Sequence, residues 1–294
     1  MARTARIKRT DAGTAYYHLM SRTNDKRFLF ENGRVKAEIV SALRRAAAFS
    51  GIELMALVAM DNHFHVVCKV VRGAGSVPRE EIVRRVAILK GGKAAAVLAN
   101  RWEYLAQTGE LDALEAEMNR YRHRMNDISE LIKTFKESFD IWFKRERAYC
   151  GSLWSGRFAS TLIEGGRYLA TCIRYVMLNP VRVGLVKRIK DYLWSWAEEQ
   201  PDAGPVPAGA LMRRVAQIGG GTIFGSRSFV SSMTADFALA LRTRSSRPHA
   251  VGDGAFSSHG WRLAKTAISR AVQKPPIFFA HFPKNKHFWG HPNV

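Results

Sequence analysis

Four residues in two separate motifs have the types and spacing to do chemistry together. The first motif is His63 and His65, which flank Phe64 in an apolar run with strand character. Because successive side chains of a strand point to opposite faces, both imidazoles would point one way and Phe64 would point into the core. Two such imidazoles can bind one divalent metal ion: imidazole suits Mn, Zn, Ni and Cu, and phosphate oxygens extend the choice to Mg or Mn. The alternative is a pair of packed or hydrogen-bonded histidines.

The second motif is a tyrosine and an asparagine on a later helix. Tyr175 and Asn179 are four residues apart and therefore share one helical face. Asn179 offers a carbonyl oxygen as a third metal ligand, and Tyr175 offers a phenol, which can form a covalent intermediate. If this face packs on the histidine strand, one pocket holds a nucleophile and a metal ion that polarises a phosphodiester for in-line attack. The alternatives are a core aromatic for Tyr175 and a helix C-cap before Pro180 for Asn179.

The elements around these motifs alternate between strands and helices. Apolar periodicity and turn residues predict strands at 16–22, 52–60, 63–71 and 157–164, and helices at 33–50, 127–147 and 167–178. With a helical insertion at about 79–126 set aside, the order is β-α-β-β-α-β followed by one more helix. This order predicts an α+β fold with a ferredoxin-like antiparallel sheet covered by helices on one face.

The composition indicates a folded protein with a polyanionic partner. The 294 residues include 47% hydrophobic side chains, and the formal net charge is +21. The positive charge makes nucleic acid the leading partner, ahead of an anionic membrane surface or a charge that serves only solubility. The three cysteines form no CxxC pair, which argues against a disulfide scaffold and favours a reducing, cytoplasmic compartment. No apolar run is long enough to span a membrane, and the basic N-terminus has no secretory pattern.

The chain divides by character into two predicted regions. Residues 1–200 hold both motifs and form the predicted catalytic domain, which begins with a basic arm at 1–13. The insertion at about 79–126 would clamp DNA, mediate association or pad the surface as a solvated helical pair. Residues 201–294 form a basic C-terminal extension, in which 201–222 has the composition of a linker. A short helix is expected within 223–241, with Ser228 as its cap, as a small DNA-binding element.

Several segments, taken in order, resemble the HUH single-tyrosine transposases of insertion sequences, most closely the REP-associated tyrosine transposases. The resemblance covers residues 14–198 and is most specific from Tyr175 to Val186. The segments that carry it are YHLMSR at 17–22, DNHFHVV at 61–67, LWSGRF at 153–158, YLA at 168–170, YVMLNPVRVGLV at 175–186 and DYLWSW at 191–196. GSRSFV at 225–230 also resembles a C-terminal extension of many members. The chain departs from the family at Asp61, where proline is commoner, and in its longer insertion.

The resemblance implies an HUH endonuclease fold and a complete reaction. Tyr175 would attack a phosphodiester of single-stranded or hairpin DNA and leave a 5′-phosphotyrosine and a free 3′-hydroxyl. His63, His65 and Asn179 would bind Mg²⁺ or Mn²⁺, and a 3′-hydroxyl would later rejoin the strands. The covalent bond conserves the energy of the phosphodiester, so no nucleotide cofactor is needed. This agrees with a sequence that lacks a GxxxxGK[ST] phosphate loop.

The remaining candidates flank the matched segments. Phosphate contacts are expected from basic side chains beside them, with solvated surface charge as the alternative. The predicted DNA-binding residues are His18, Arg22, Arg157, Arg182 and Lys187. For His18, a hydrogen-bonded structural role is the second interpretation. Tyr168 is the alternative nucleophile because it lies seven residues before Tyr175 on the same helical face. Three tryptophans, Trp154, Trp194 and Trp196, are candidates for base stacking or for core packing.

Two other functions remain open from the sequence. One is a retired transposase that only binds DNA as a regulator, and the other is an HUH replication or conjugation nickase. The expected protein is a monomer or homodimer, associated with the nucleoid in the bacterial cytoplasm, with no membrane partner. The DNA target and the choice between an active site within one subunit and one shared by two are left open.

Overall fold

The computed structural model describes residue 8, residues 13–72, 76–197 and 222–224, and residue 229. The chain forms two compact units, Met1–Met233 and Thr234–Val294. The second unit lies wholly outside the described residues. Three other predicted segments lie mostly outside the described residues. They are the basic arm at 1–13, the linker at 201–222, of which only residue 222 is described, and the range 223–241 expected to hold a short helix, of which three residues are described.

The described elements follow the predicted order. The strands are β1 (Gly13–Arg22), β2 (Glu53–Ala59), β3 (His63–Arg72), β4 (Ala159–Ile163), β5 (Ser195–Ala197) and β6 (Thr222–Phe224). The helices are α1 (Gly33–Ser50), α2 (Arg79–Lys90), α3 (Gly92–Gln107), α4 (Leu111–Arg122), α5 (Ile128–Arg147), α6 (Arg167–Met177) and α7 (Asn179–Arg182). Within the described part of the chain, no helix is long and apolar enough to cross a membrane.

The strands form a single sheet of order β5-β2-β3-β1-β4-β6. The first five strands pair antiparallel, and β6 pairs parallel with β4. The inner order β2-β3-β1-β4 is that of the ferredoxin-like fold, so the predicted α+β class is confirmed. The three residues of β6 show that the segment after residue 200 contributes to the sheet of the first unit.

One face of the sheet is covered by α1 and α5, which also pack against each other. The largest contacts there are aromatic: Phe64 of β3 lies edge-on to Phe135 at 5.0 Å and to Trp154 at 5.8 Å between ring centres. α5 begins where the Asp127 carboxylate accepts the first free backbone amides of the helix. Phe64 therefore fixes β3 to the core through the face opposite to its neighbouring histidines.

The other face is covered by α6, which contacts β2 and β3. The expectation of helices on one face only is therefore incomplete. The physical reason is that alternate positions on both sides of the strands are apolar: Leu57 and Val66 face α1 and α5, whereas Val58 and Val67 face α6. A sheet with two apolar faces has to be covered on both.

The insertion between β3 and α5 contains three helices, α2, α3 and α4, rather than a solvated pair. Its helices share a hydrophobic cluster of their own, which includes Ile82, Trp102 and Leu114 and also Phe49 of α1. Trp102 is fully buried, and its indole N–H donates to the carboxylate of Glu117 at 2.9 Å. The insertion is thus a packed subdomain anchored to α1.

The range 223–241, expected to hold a short helix capped by Ser228, begins with a strand that precedes the cap. Residues 223 and 224 belong to β6, while Phe229 has helical geometry. The sequence did not predict this strand, because backbone hydrogen bonds in a sheet depend on a distant partner that sequence periodicity does not reveal.

Candidate active site

The candidate site lies on the face of the sheet that α6 covers, at the end of β3 next to the hairpin turn. His63 and His65 both point to this face, and their ring centres are 4.9 Å apart. The register of β1 against β3 places Arg22 opposite His63 and Met20 opposite His65. Directly paired residues of antiparallel strands share a face, so Arg22 flanks the two histidines.

Tyr175 of α6 reaches the histidines. Its ring is 5.7 Å from that of His65 and 6.1 Å from that of His18, edge-on to both. The side chain is 8% exposed, so the phenol lies in a mostly dry environment. Burial raises the pKa of Tyr175 above its usual value, and the charge of Arg182 and a hydrogen bond with Asn179 act against that rise. The structure therefore brings the predicted nucleophile to the predicted metal-binding strand.

Asn179 begins α7, directly after α6, and is buried beside Tyr175. Its amide nitrogen donates to the backbone carbonyl of Tyr175 at 3.0 Å. This bond fixes which end of the carboxamide is nitrogen, and the carbonyl oxygen is then the end left to bind a cation. Pro180 follows and stops α6 from continuing as a regular helix, which turns the chain at the site.

Hydrogen bonds define which nitrogen of His63 is available to a ligand. His63 Nδ1 lies 2.7 Å from Asn62 Oδ1, and Asn62 Nδ2 donates to the carbonyl of Lys26 at 2.9 Å. Because the amide oxygen can only accept, His63 Nδ1 carries the proton and Nε2 keeps a free lone pair. Desolvation, reinforced by the positive charge of Arg22, lowers the pKa of His63 to about 4.

His65 is more deeply buried and is bonded to a third histidine. His65 Nδ1 lies 2.9 Å from His18 Nε2, and the two rings meet edge to edge, nearly parallel, with centres 5.1 Å apart. Desolvation lowers the pKa of His18 to about 4. It also lowers the pKa of His65 well below its usual value, with further contributions from His63, His18 and Arg22. His63 and His65 are therefore neutral near pH 7, and the neutral imidazole is the form that binds metals.

Arg182 of α7 lies over the nucleophile. Its guanidinium carbon is 5.3 Å from the centre of the Tyr175 ring, and a hydrogen bond from it favours the phenolate. Arg182 is otherwise exposed. It is therefore placed to meet an anion that approaches the tyrosine from solvent.

The hairpin turn is held by contacts that the sequence did not reveal. Lys36 of α1 pairs with Asp61 in the turn at 2.5 Å, and its ammonium lies 4.6 Å from the centre of a Trp194 ring. The Asp61 backbone carbonyl accepts from Phe30, and that of Asn62 accepts from Thr23. The only hint of these contacts in the sequence was the unusual aspartate at position 61. Its partner, Lys36, lies 25 positions away and belongs to no motif.

The remaining candidates lie before β4, after α7 and at the start of α6. Arg157 lies in the loop before β4 and Lys187 follows α7, and both are exposed. Their role as DNA contacts stays a prediction. Tyr168 is half-buried, and its hydroxyl accepts from Arg167 at 3.2 Å. Trp154 packs in the core among phenylalanines.

The other two tryptophans lie close to basic side chains. Trp194 is beside Lys36, and Trp196 lies 5.4 Å from the guanidinium of Arg44.

The residues present fit a divalent metal ion, on the chemistry of their donor atoms. The neutral His63 has Nε2 free, the neutral His65 has Nε2 free in one of its two tautomers, and the carboxamide of Asn179 has its nitrogen already hydrogen-bonded. Among the described residues, no group of three or more histidine, cysteine or acidic side chains could hold a metal ion. The two histidines and Asn179 would therefore need oxygen ligands from a substrate or water to complete a coordination shell, as Mg²⁺ and Mn²⁺ sites commonly do.

Comparison with known proteins finds one similar family and one similar solved structure. Residues 12–108, about a third of the chain, match the model of the IS200-like transposase family. This match confirms part of the resemblance found in the sequence: the segment from β1 to α3 is similar to the IS200-like transposases. A solved structure of a REP-associated tyrosine transposase bound to a REP hairpin is 15% identical, with a TM-score of 0.37. The similarity covers 70% of this chain and 98% of that one. No curated protein matches.

Proposed function

We propose that this protein is a metal-dependent transposase that cuts and rejoins single-stranded DNA through a covalent bond to Tyr175. The observation that carries the proposal is the placement of one buried phenol against His65 with Asn179 and Arg182 beside it. Each of these groups has a packing role as an alternative when taken singly. Together they form one site with a nucleophilic tyrosine, a positively charged arginine and three neutral side chains that can bind a metal ion. Phosphoryl transfer explains this combination best.

The chemistry balances without an external energy source. The Tyr175 hydroxyl oxygen would form a bond to phosphorus as the bond from phosphorus to the 3′-oxygen breaks. The phenol proton would pass to solvent, and the departing 3′-oxygen would take up a proton. The products are a 5′-phosphotyrosine and a free 3′-hydroxyl, and attack by another 3′-hydroxyl reverses the step on a new strand.

Arg182 would orient the scissile phosphate and stabilise the phenolate. Burial disfavours the charged phenolate, and the nearby guanidinium offsets that cost. Arg22, beside His63, would add a second positive charge at the same end of the sheet. His63, His65 and Asn179 would hold Mg²⁺ or Mn²⁺, which when bound would supply Lewis-acid polarisation of a phosphate oxygen.

Single-stranded or hairpin DNA is the proposed substrate. Strand transfer needs an unpaired phosphodiester that can reach a phenol recessed in a protein surface, and a continuous duplex would hold its phosphates away. The net charge of +21 supports a polyanionic ligand of this kind.

A labelled-oligonucleotide assay tests the proposal. The full chain is incubated with Mn²⁺ and hairpin oligonucleotides from DNA that flanks the native gene, labelled at either end. We expect a covalent adduct resistant to denaturation that carries the 3′ label only, together with release of the 5′-labelled piece. Label retention at the other end would mean the opposite phosphotyrosine polarity.

Matched variants on one helix assign the nucleophile. Tyr175→Phe should abolish the adduct, and Tyr168→Phe, two turns earlier on α6, should leave it. An adduct that survives Tyr175→Phe would refute the assignment. Tight binding with no adduct under any divalent ion would instead favour a regulator that only binds DNA.

A further inference from the structure

The bond between His18 and His65 points to a function for His18 that differs from DNA contact. The His18 side chain is buried, with 6% of its surface exposed, and it lies in the middle of β1 under α6. Its ring meets that of His65 edge to edge, with 14° between the ring planes, and its Nε2 is 2.9 Å from His65 Nδ1. A group so enclosed cannot meet a DNA strand without rearrangement of the sheet face.

The hydrogen bond has two possible polarities, and they have opposite consequences. If His65 Nδ1 donates, the neutral ring has its free lone pair on Nε2, the nitrogen left for a ligand. If His18 Nε2 donates instead, His65 carries its proton on Nε2 and cannot bind a cation there. The site can therefore hold a metal ion through His65 Nε2 only with His18 as the acceptor.

We propose that His18 is a positioning residue that fixes the tautomer and ring orientation of His65. The inference rests on the proposed metal site. Metal-binding histidines commonly donate their second ring N–H to a neighbouring acceptor, and Asn62 already does this for His63. His18 supplies the corresponding acceptor for His65. Each of the two imidazoles then presents Nε2 to the same side of the strand.

Two variants separate hydrogen bonding from packing. His18→Phe keeps an aromatic ring against His65 but cannot accept a hydrogen bond. His18→Gln is smaller in contact area, but its amide oxygen can accept from His65 Nδ1. Mn²⁺ binding to the full chain is followed by the electron paramagnetic resonance signal of the free ion, with thermal unfolding measured for each variant.

We expect His18→Phe to weaken Mn²⁺ binding by about 10–100-fold, and His18→Gln to restore most of that loss. Equal Mn²⁺ affinity in wild type and His18→Phe would overturn the inference. So would a loss in both variants that follows their thermal stability, because that result would indicate packing alone.

Nitrogen-15 NMR of the wild-type imidazoles tests the tautomer independently of any metal. Protonation at His65 Nδ1 supports the inference, and protonation at His65 Nε2 refutes it. If wild type bound no Mn²⁺ but the spectrum showed Nδ1 protonated, the metal-dependent function would fail while the role of His18 in fixing the tautomer would stand.

Discussion

Replacing Lys36 by methionine tests whether a buried ion pair holds the turn from which the histidine strand begins. The Lys36 side chain is 6% exposed and that of Asp61 is 18% exposed, with 2.5 Å between them. Methionine retains most of the apolar stem, but it leaves the Asp61 carboxylate without its cation. Breaking a buried pair in this way costs about 3–5 kcal/mol, and partial access of Asp61 to water favours the lower end. Loss of the contact with the Trp194 ring adds roughly 1 kcal/mol, so we expect about 4 kcal/mol in total.

A double-mutant cycle separates the pair from its surroundings. Asp61→Asn alone should cost about 3 kcal/mol because it leaves the Lys36 ammonium buried and unpaired. The double variant should cost about as much as Lys36→Met alone, rather than the additive ~7 kcal/mol, which gives a coupling of about 3 kcal/mol. The free energies come from urea unfolding followed by far-ultraviolet circular dichroism.

An exposed ion pair in the same unit provides the control. Arg188 and Asp191 lie 2.9 Å apart on the surface, with the arginine side chain 66% exposed. Arg188→Met should change stability by no more than about 1 kcal/mol. Additive effects in the Lys36 cycle, or a Lys36→Met cost as small as that of the control, would show that the pair does not hold the turn.

Two further predictions concern the cap of α5 and the cysteines. Asp127→Ala should destabilise the protein by about 1 kcal/mol in the same unfolding experiment, and Asp127→Asn by less, because asparagine can still cap the helix. Burial raises the pKa of Asp127, but a hydrogen bond and ion pair from Lys8 and two backbone amides outweigh burial and lower it. The Asp127 carboxylate therefore stabilises the protein at pH values above its pKa in the unfolded chain, and this stabilisation is lost as pH falls through its pKa in the folded protein. The difference in unfolding free energy between wild type and Asp127→Ala should shrink in acid, and a constant difference would contradict this. Burial raises the pKa of Cys68 to about 12 and that of Cys172 still further, whereas Cys150 is exposed. Ellman's reagent at pH 8 should therefore modify one thiol in the folded protein and three after denaturation, and rapid modification of two or more in the folded protein would argue against this burial.

The sequence predicted those parts of the site that depend on local pattern. The alternation around Phe64 defined the strand and the common direction of its histidines, and the spacing of Tyr175 and Asn179 defined a shared helical face. The ferredoxin-like order followed from periodicity and turn residues. The approach of α6 to the sheet depends on packing between distant elements. Residue spacing alone predicted the site only if that packing occurred, and the family resemblance implied that it does occur.

Three features escaped prediction for the same physical reason. The His18–His65 bond, the Lys36–Asp61 pair and the strand pairing of residues 222–224 each join segments that are far apart in sequence. Apart from the unusual aspartate at position 61, their residue types are compatible with ordinary surface or core positions, so type and spacing do not identify the partners. The packing of the insertion was missed because a helical composition does not reveal how many helix faces are buried.

The short strand β6 has a consequence for how this protein can be shortened. β4 bonds to β1 on one side and to β6 on the other. A fragment that ended near residue 200 would expose the outer amides and carbonyls of β4 as a template for strand addition, the usual origin of unwanted self-association. A well-behaved fragment therefore has to retain the chain through Phe224.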